Sequence, residues 1–329
     1  MSNIIEKIEV RQAINKAIAD TMTNDENIFL MGEEVAEYNG AYKVSAGLLE
    51  KFGSKRVIDT PITEHGFTGL AIGAAFAGLR PIVEFMTFNF SMQAIDQIIN
   101  SAAKTNYMSG GQISCPIVFR GPNGAAARVG AQHSQSFASW YAHVPGLKVI
   151  APYSVNDTYA LMKAAILDNS PVIFLENEVL YNYTGDFDPN YTAEIGKAKI
   201  VQEGNDITFI SYSITMDITM QAAEILKEKH NLSVEIIDLR SLRPLDTDTV
   251  IKSLKKTGKG MVIEESWPCA SIASEIIAVA MEEAFDYLDA PIQRVCSKDV
   301  PLPYAKNLEK LALPRVEDIL EKMKEIMLL

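Results

Sequence analysis

The stretch Arg56–Phe85, RVIDTPITEHGFTGLAIGAAFAGLRPIVEF, decides the fold. An apolar run, RVIDTP, is followed by text of helical length from Glu64 that carries no charge between Gly66 and Leu79; a second apolar run, RPIVEF, closes it. Two continuous apolar strands joined by a helix form a βαβ unit, whose strands lie parallel and are covered on both faces. The helix, with Gly66, Gly69, Gly73 and Gly78, reads as a buried, closely packed segment, and its uncharged run is shorter than the roughly 20 residues of a membrane span.

Outward from this unit the same alternation recurs. Helical spacing at Val10, Ala13, Ile14, Ala17 and Ile18 precedes IFLMG, and CPIVFRG, LKVIAP and PVIFLEN follow, with helices expected near 44–52, 91–107 and 156–168. The polar text YNYTGDFDPNYTAEIG has no periodicity and is expected to contain a linker at 183–197. Beyond it ITFISYS, VEIIDLR, GMVIEES and IQRVCS alternate with helices expected near 216–230, 247–256, 271–286 and 316–327. The chain therefore reads as two parallel-sheet α/β domains, residues 1–182 and 198–329.

Composition narrows the function. The 329 residues carry 30 basic and 42 acidic side chains, a net charge of −12, which is the wrong sign for binding nucleic acid or an anionic membrane. Cys115, Cys269 and Cys296 are far apart, so neither a disulfide framework nor a cysteine metal site is expected. The start MSNIIEKIEVRQAINKAI has no apolar signal core and too much acid for a transit peptide, so a bacterial cytoplasm is expected, or the mitochondrial matrix for a processed form. No Walker lysine loop, no G-x-S-x-G elbow and no histidines spaced i, i+4 occur; GPNGAAARVG lacks dinucleotide-binding spacing.

What remains is a set of loops at carboxyl ends of strands, where open α/β sheets place ligands. Glu64 opens the helix after RVIDTP, with Thr63 as a candidate cap; at that position an acid either complements the helix dipole or serves chemistry. RPIVEF ends at Phe85 and is followed by Phe88 and Phe90; after CPIVFRG come Asn123, Arg128 and His133. An acid, aromatic faces and an imidazole suit an organic cofactor with a flat heterocycle, although each residue singly also fits a structural role.

DTPITEHGFTGLAIGAAFAGLRPIVEFMTFNFSMQAIDQIINSAAK and GGQISCPIVFRGPNGAAARVGAQHSQSFASWYAHVPGLKVIAP resemble the beta subunits of thiamine-diphosphate-dependent 2-oxo acid dehydrogenases. The resemblance continues through SPVIFLENEVLY, LRSLRPLD, VIEESWPCASIASEI and DVPLPYAKNLE, covers essentially the whole chain, and at FMTFNFSMQAIDQ is similar to the pyruvate branch. It implies a pyrimidine-binding domain followed by a transketolase C-terminal-like domain. It also implies oxidative decarboxylation of pyruvate with reductive acetylation of a lipoyl group, giving acetyl-CoA in the full complex. The alternatives are an acetoin or branched-chain 2-oxo acid dehydrogenase beta subunit, or a catalytically silent scaffold that binds a partner.

By the same resemblance, Glu64 hydrogen-bonds the aminopyrimidine ring of thiamine diphosphate, Phe90 and Met86 line that ring's pocket, and His133 handles substrate and acetyl transfer to lipoamide. Ile117, Ala165, Ile166 and Asp168 match carbonyl ligands of a structural potassium ion, and Ser170 stands where the family commonly has Asn. His65 replaces an apolar residue and is given no role. Because no G-D-G motif occurs in the chain, the resemblance implies that an alpha subunit brings the diphosphate and Mg2+ side in an α2β2 heterotetramer. That assembly would dock on lipoyl domains and a dihydrolipoyl acetyltransferase core.

Overall fold

The structure, a computed structural model, describes residues 6–327. Two compact units emerge: one comprises the chain up to Asn123 together with Trp140–Ile195, the other Gly124–Ser139 together with the chain from Gly196 onward.

In the first unit the apolar runs become β2 (Ile28–Gly32), β3 (Val57–Asp59), β4 (Arg80–Glu84), β5 (Val118–Pro122), β6 (Lys148–Ile150) and β7 (Val172–Glu176). They lie side by side in the order β6-β7-β5-β4-β2-β3, every neighbouring pair parallel. β2, β5 and β7 are buried at every residue, as strands covered on both faces must be. One face packs against α1 (Val10–Asn24) and α6 (Val155–Leu167), where Ile14, Ile18, Leu161 and Met162 meet Leu30, Ile82, Val118 and Phe174.

Several elements differ from the sequence expectation. The expected linker contains β8 (Thr184–Phe187), which pairs antiparallel with β1 (Glu6–Glu9), so the first unit continues to Ile195. The helix expected over 44–52 is only α2 (Leu48–Phe52), because Gly47 takes a left-handed φ of 77° just before it. The helix expected over 91–107 is interrupted: a 3-10 turn (Phe88–Ala94), a π-helical turn (Gln97–Ala102) and α4 (Ala103–Met108) replace it. The helix after β3, α3 (Glu64–Phe76), buries Phe67, Thr68, Ala71, Ile72 and Ala75 on one face. Elsewhere on the helix Leu70 is 62% exposed among the described residues, so the helix is only half-buried.

Leaving β5, the chain passes through Gly124–Ser139 in the second unit, then returns along α5 (Ala138–Ala142). The second unit holds β9 (Lys199–Gln202), β10 (Ile207–Ser211), β11 (Val234–Asp238), β12 (Ser241–Arg243), β13 (Gly260–Ile263) and β14 (Gln293–Val295). Its sheet runs β14-β13-β10-β11-β9; only the β11–β9 pair is antiparallel. Helices α7 (Thr215–His230), α8 (Thr247–Thr257), α9 (Ile272–Glu283), α10 (Lys306–Ala312) and α11 (Val316–Met327) alternate with these strands much as the periodicity predicts. No helix among the described residues is long and apolar enough to cross a membrane.

Candidate active site

Parallel strands end together, so the residues that follow β2, β3, β4 and β5 share one edge of the first sheet. Glu64 begins α3 there, and only 8% of it is exposed. Thr63 occupies the N-cap position but makes no side-chain cap bond; its carbonyl accepts from the Phe67 N–H at 3.0 Å. His65, beside it, is exposed and lies 3.2 Å from the Gln97 amide through its Nε2.

The loop after β4 divides its aromatic residues between two tasks. Phe85 and Phe88 are wholly buried, in a cluster with Phe67, Phe119 and Tyr141 whose ring centroids lie 5.7 to 6.3 Å apart. They are core, not a cofactor platform. Met86 and Phe90 stay half-buried, and Phe90 is held by its N–H on the Thr87 carbonyl at 2.9 Å. The Thr87 hydroxyl accepts from the Asn89 side chain at 2.8 Å and fixes the turn between them.

A second carboxylate joins Glu64. Glu33 immediately follows β2, is 5% exposed, and its Oε1 has no hydrogen-bond partner among the described residues. Burial, reinforced by the charge of Glu64, pushes its pKa up to about 7. Its sequence signal is modest: an acid directly after IFLMG, at the same carboxyl edge that singled out Glu64.

Beneath these loops lies an ionic cluster that sequence periodicity does not reveal. Arg120 of β5 donates to both oxygens of Glu176 at 2.6 Å and also to Glu84, while the Tyr181 hydroxyl donates to Glu176 at 2.6 Å. All of these side chains are buried. Burial works against the charge of Arg120, but Glu176 and Glu84 outweigh it and raise its pKa. Burial likewise raises Glu84, with Arg120 opposing and Glu176 adding. The guanidinium thus ties the ends of β4, β5 and β7 together directly below Phe85 and Asn123.

His133 ends a 3-10 turn (Ala131–His133) in the segment that belongs to the second unit. Ile117, Ala165, Ile166 and Asp168 lie at the opposite, amino edge of the first sheet, away from Glu64. There the Arg80 guanidinium donates to the carbonyls of Ile166 and Asp168 at 3.1 and 3.0 Å, Val172 N–H donates to Ile117, and Asp168 N–H to Ala165. The carbonyl donors a monovalent cation needs are present, but two of them already serve a cation of the chain itself.

The residues fit the pyrimidine side of thiamine diphosphate: a buried acid at a helix start, a half-buried aromatic and thioether, and an orphaned buried carboxylate oxygen beside them. Comparison with known proteins bears on the domains and the family. Residues 6–184 match the model of the transketolase pyrimidine binding domain, and residues 196–319 that of the transketolase C-terminal domain. The chain is 60% identical to a protein of Rickettsia bellii named pyruvate dehydrogenase E1 component subunit beta, over 97% of this chain and 98% of that one. It is 56% identical to the mitochondrial protein of that name from Saccharomyces cerevisiae, over 97% and 88%. A solved structure described as a split gene transketolase, an inactive beta4 tetramer, superposes with a TM-score of 0.81 at 20% identity, over 98% of this chain and 99% of that one; the likeness concerns the fold. The chain belongs to the pyruvate dehydrogenase E1 beta-subunit family, built on the two transketolase domains.

Proposed function

We propose that the chain is the beta subunit of the decarboxylating component of pyruvate dehydrogenase, working with thiamine diphosphate to oxidise pyruvate and acetylate a lipoyl group. The observation that carries this reading is the buried Glu64 at the start of α3, sharing a strand edge with Glu33, Met86 and Phe90, in a chain 60% identical to a relative of that name.

Bound thiamine diphosphate supplies the electron sink that decarboxylation requires. Glu64 would hold the aminopyrimidine ring by a hydrogen bond and exchange a proton there, a task suited to a buried carboxylate. Phe90 offers a face to that ring and Met86 a soft apolar wall. Glu33, its pKa raised to about 7 by burial and by Glu64, takes up and releases a proton close to neutral pH. His133 serves substrate and the transfer to lipoamide. The sequence offers no G-D-G loop for a diphosphate, and Leu70 of α3 is exposed among the described residues. Both features favour an alpha subunit that completes the site with the diphosphate and Mg2+ side, in an α2β2 assembly that hands its product to lipoyl domains of an acetyltransferase core. A bacterial cytoplasm or a mitochondrial matrix suits such an assembly.

The test is pyruvate- and thiamine-diphosphate-dependent reduction of an artificial electron acceptor, with this chain alone and with the chain co-purified with its alpha subunit. Activity only in the assembled form is expected. Activity on branched-chain 2-oxo acids in preference to pyruvate overturns the substrate assignment.

A further inference from the structure

The segment Gly124–Ser139 lies between two strands of the first sheet yet packs as part of the second unit, and one side chain of that unit moors its start. Glu265, two residues past β13, accepts the backbone N–H of Ala125 through Oε1. The neighbouring Gly124 takes a φ of +86°, a conformation that favours glycine, and a Cβ there would stand 2.5 Å from the same oxygen. The Gly124 N–H in turn donates to the Gln135 carbonyl at 3.0 Å, so mooring Gly124 and Ala125 also pins the far arm of the loop that holds His133. Further contacts follow the same course. The hydroxyls of Ser136 and Ser266 meet at 3.0 Å, and Ala125 packs on Leu302 and Ala312. At Gly130, with a φ of +83°, a Cβ would come within 2.7 Å of the Tyr304 ring.

Apolar contact alone does not explain a carboxylate here. Burial raises Glu265 to a pKa of about 7, helped by Glu309 and opposed by the Ala125 N–H, so the acid is held in this place at a cost in ionisation. A side chain of this length with an acceptor at its tip is what reaches the Ala125 N–H.

We propose that Glu265 is the positioning residue of the His133 loop, fixing the imidazole for its part in lipoyl acetylation through the Ala125 N–H. This rests on the reading of His133 given above. The second unit, on this account, sets a residue encoded in the first half of the chain.

The test compares Glu265→Ala, which removes the acceptor, with Glu265→Gln, which keeps an acceptor oxygen at the same reach. Amide hydrogen exchange is followed on the full chain. In the enzyme assembled with its alpha subunit, acetylation of a lipoyl domain is compared with reduction of an artificial acceptor. In Glu265→Ala, amides of residues 125–135 should exchange about tenfold faster, the change expected from losing one buried hydrogen bond, while the sheet strands keep their protection. Lipoyl acetylation should fall by a similar factor and acceptor reduction, which needs His133 for substrate alone, by a smaller one, and Glu265→Gln should restore both. Unchanged protection of the loop in Glu265→Ala, or a glutamine variant as impaired as the alanine one, overturns the mooring. Equal losses in both activities overturn the positioning role in favour of a general structural one. His133→Ala separates the premise: if lipoyl acetylation survives that change, the role of His133 is wrong, while the exchange data still decide whether Glu265 moors the loop.

Discussion

Glu33 and Glu64 are buried carboxylates on one edge of one sheet, and the charge of Glu64 adds to burial in raising Glu33 to a pKa of about 7. The consequence for stability has a definite sign. Below pH 4.5, the ordinary value for the group, folded and unfolded chains both hold the proton and the contribution is fully present. As pH rises toward 7 the unfolded chain releases the proton while the folded chain retains it, so stability falls, levelling off above that point. A rise of this size corresponds to about 3 kcal/mol. Glu33→Gln should flatten that slope in thermal unfolding curves recorded from pH 4.5 to 8; parallel curves for the two proteins would show that Glu33 is not the group responsible.

Glu64→Gln tests the catalytic reading with minimal structural change. The amide keeps the volume and the helix-start position but can no longer exchange a proton with a ring nitrogen. In the assembled enzyme pyruvate-dependent activity should drop by a factor on the order of 100 to 10,000. The loss should appear in kcat, with subunit assembly by gel filtration unchanged. Full activity would mean that Glu64 does no more than complement the helix dipole.

Arg120 faces two carboxylates in the core, so removing it leaves buried negative charge without a partner. Arg120→Met should destabilise the chain by about 3 to 5 kcal/mol, the range for breaking a buried ion pair. Replacing Glu84, Arg120 and Glu176 together by apolar residues of similar volume should cost less than the single change, because no orphaned charge remains. Chemical denaturation of the full chain reads both, and a single variant as stable as the wild type would show that the cluster is energetically neutral.

The parts of the fold that were legible in the sequence are those where a local pattern meets a local cause. Continuous apolar strands such as Val172–Glu176 and the charge-free text after Glu64 follow from burial on both faces of a parallel sheet, and the family comparison supports the two-domain α/β reading. β1 and β8 escaped because EKIE and TGDF are short, polar and mostly exposed, their pairing being set by chain segments about 180 residues apart. The crossing of Gly124–Ser139 into the second unit escaped for a related reason: turn-rich text marks a loop, but nothing in it says which core the loop joins. Among site residues, the position of Glu64 after a strand leaves both a dipole-complementing acid and a chemical acid open, and it is the family resemblance that implies the cofactor role. The same position after IFLMG would have singled out Glu33, whereas the Arg120 cluster depends on the register between β4, β5 and β7.

Arg80 offers the last test, at the amino edge of the first sheet. Its guanidinium, mostly shielded from solvent, donates to the carbonyls of Ile166 and Asp168 and to the Asn169 side chain at 2.6 Å. It thereby covers acceptors left open at the carboxyl end of α6, where a cation is also favoured by the helix dipole. Arg80→Leu should destabilise the chain by about 2 kcal/mol, in the range for hydrogen bonds to a charged group. The same variant decides the potassium question. With the guanidinium gone, the carbonyls of Ile166 and Asp168 are open to an added cation, so potassium chloride should raise the Tm of Arg80→Leu by more than an equal concentration of sodium chloride does. It should also raise that Tm by more than it raises the wild-type value. Equal shifts in both salts would indicate ordinary screening and remove potassium from these carbonyls, leaving Arg80 as the cation they serve.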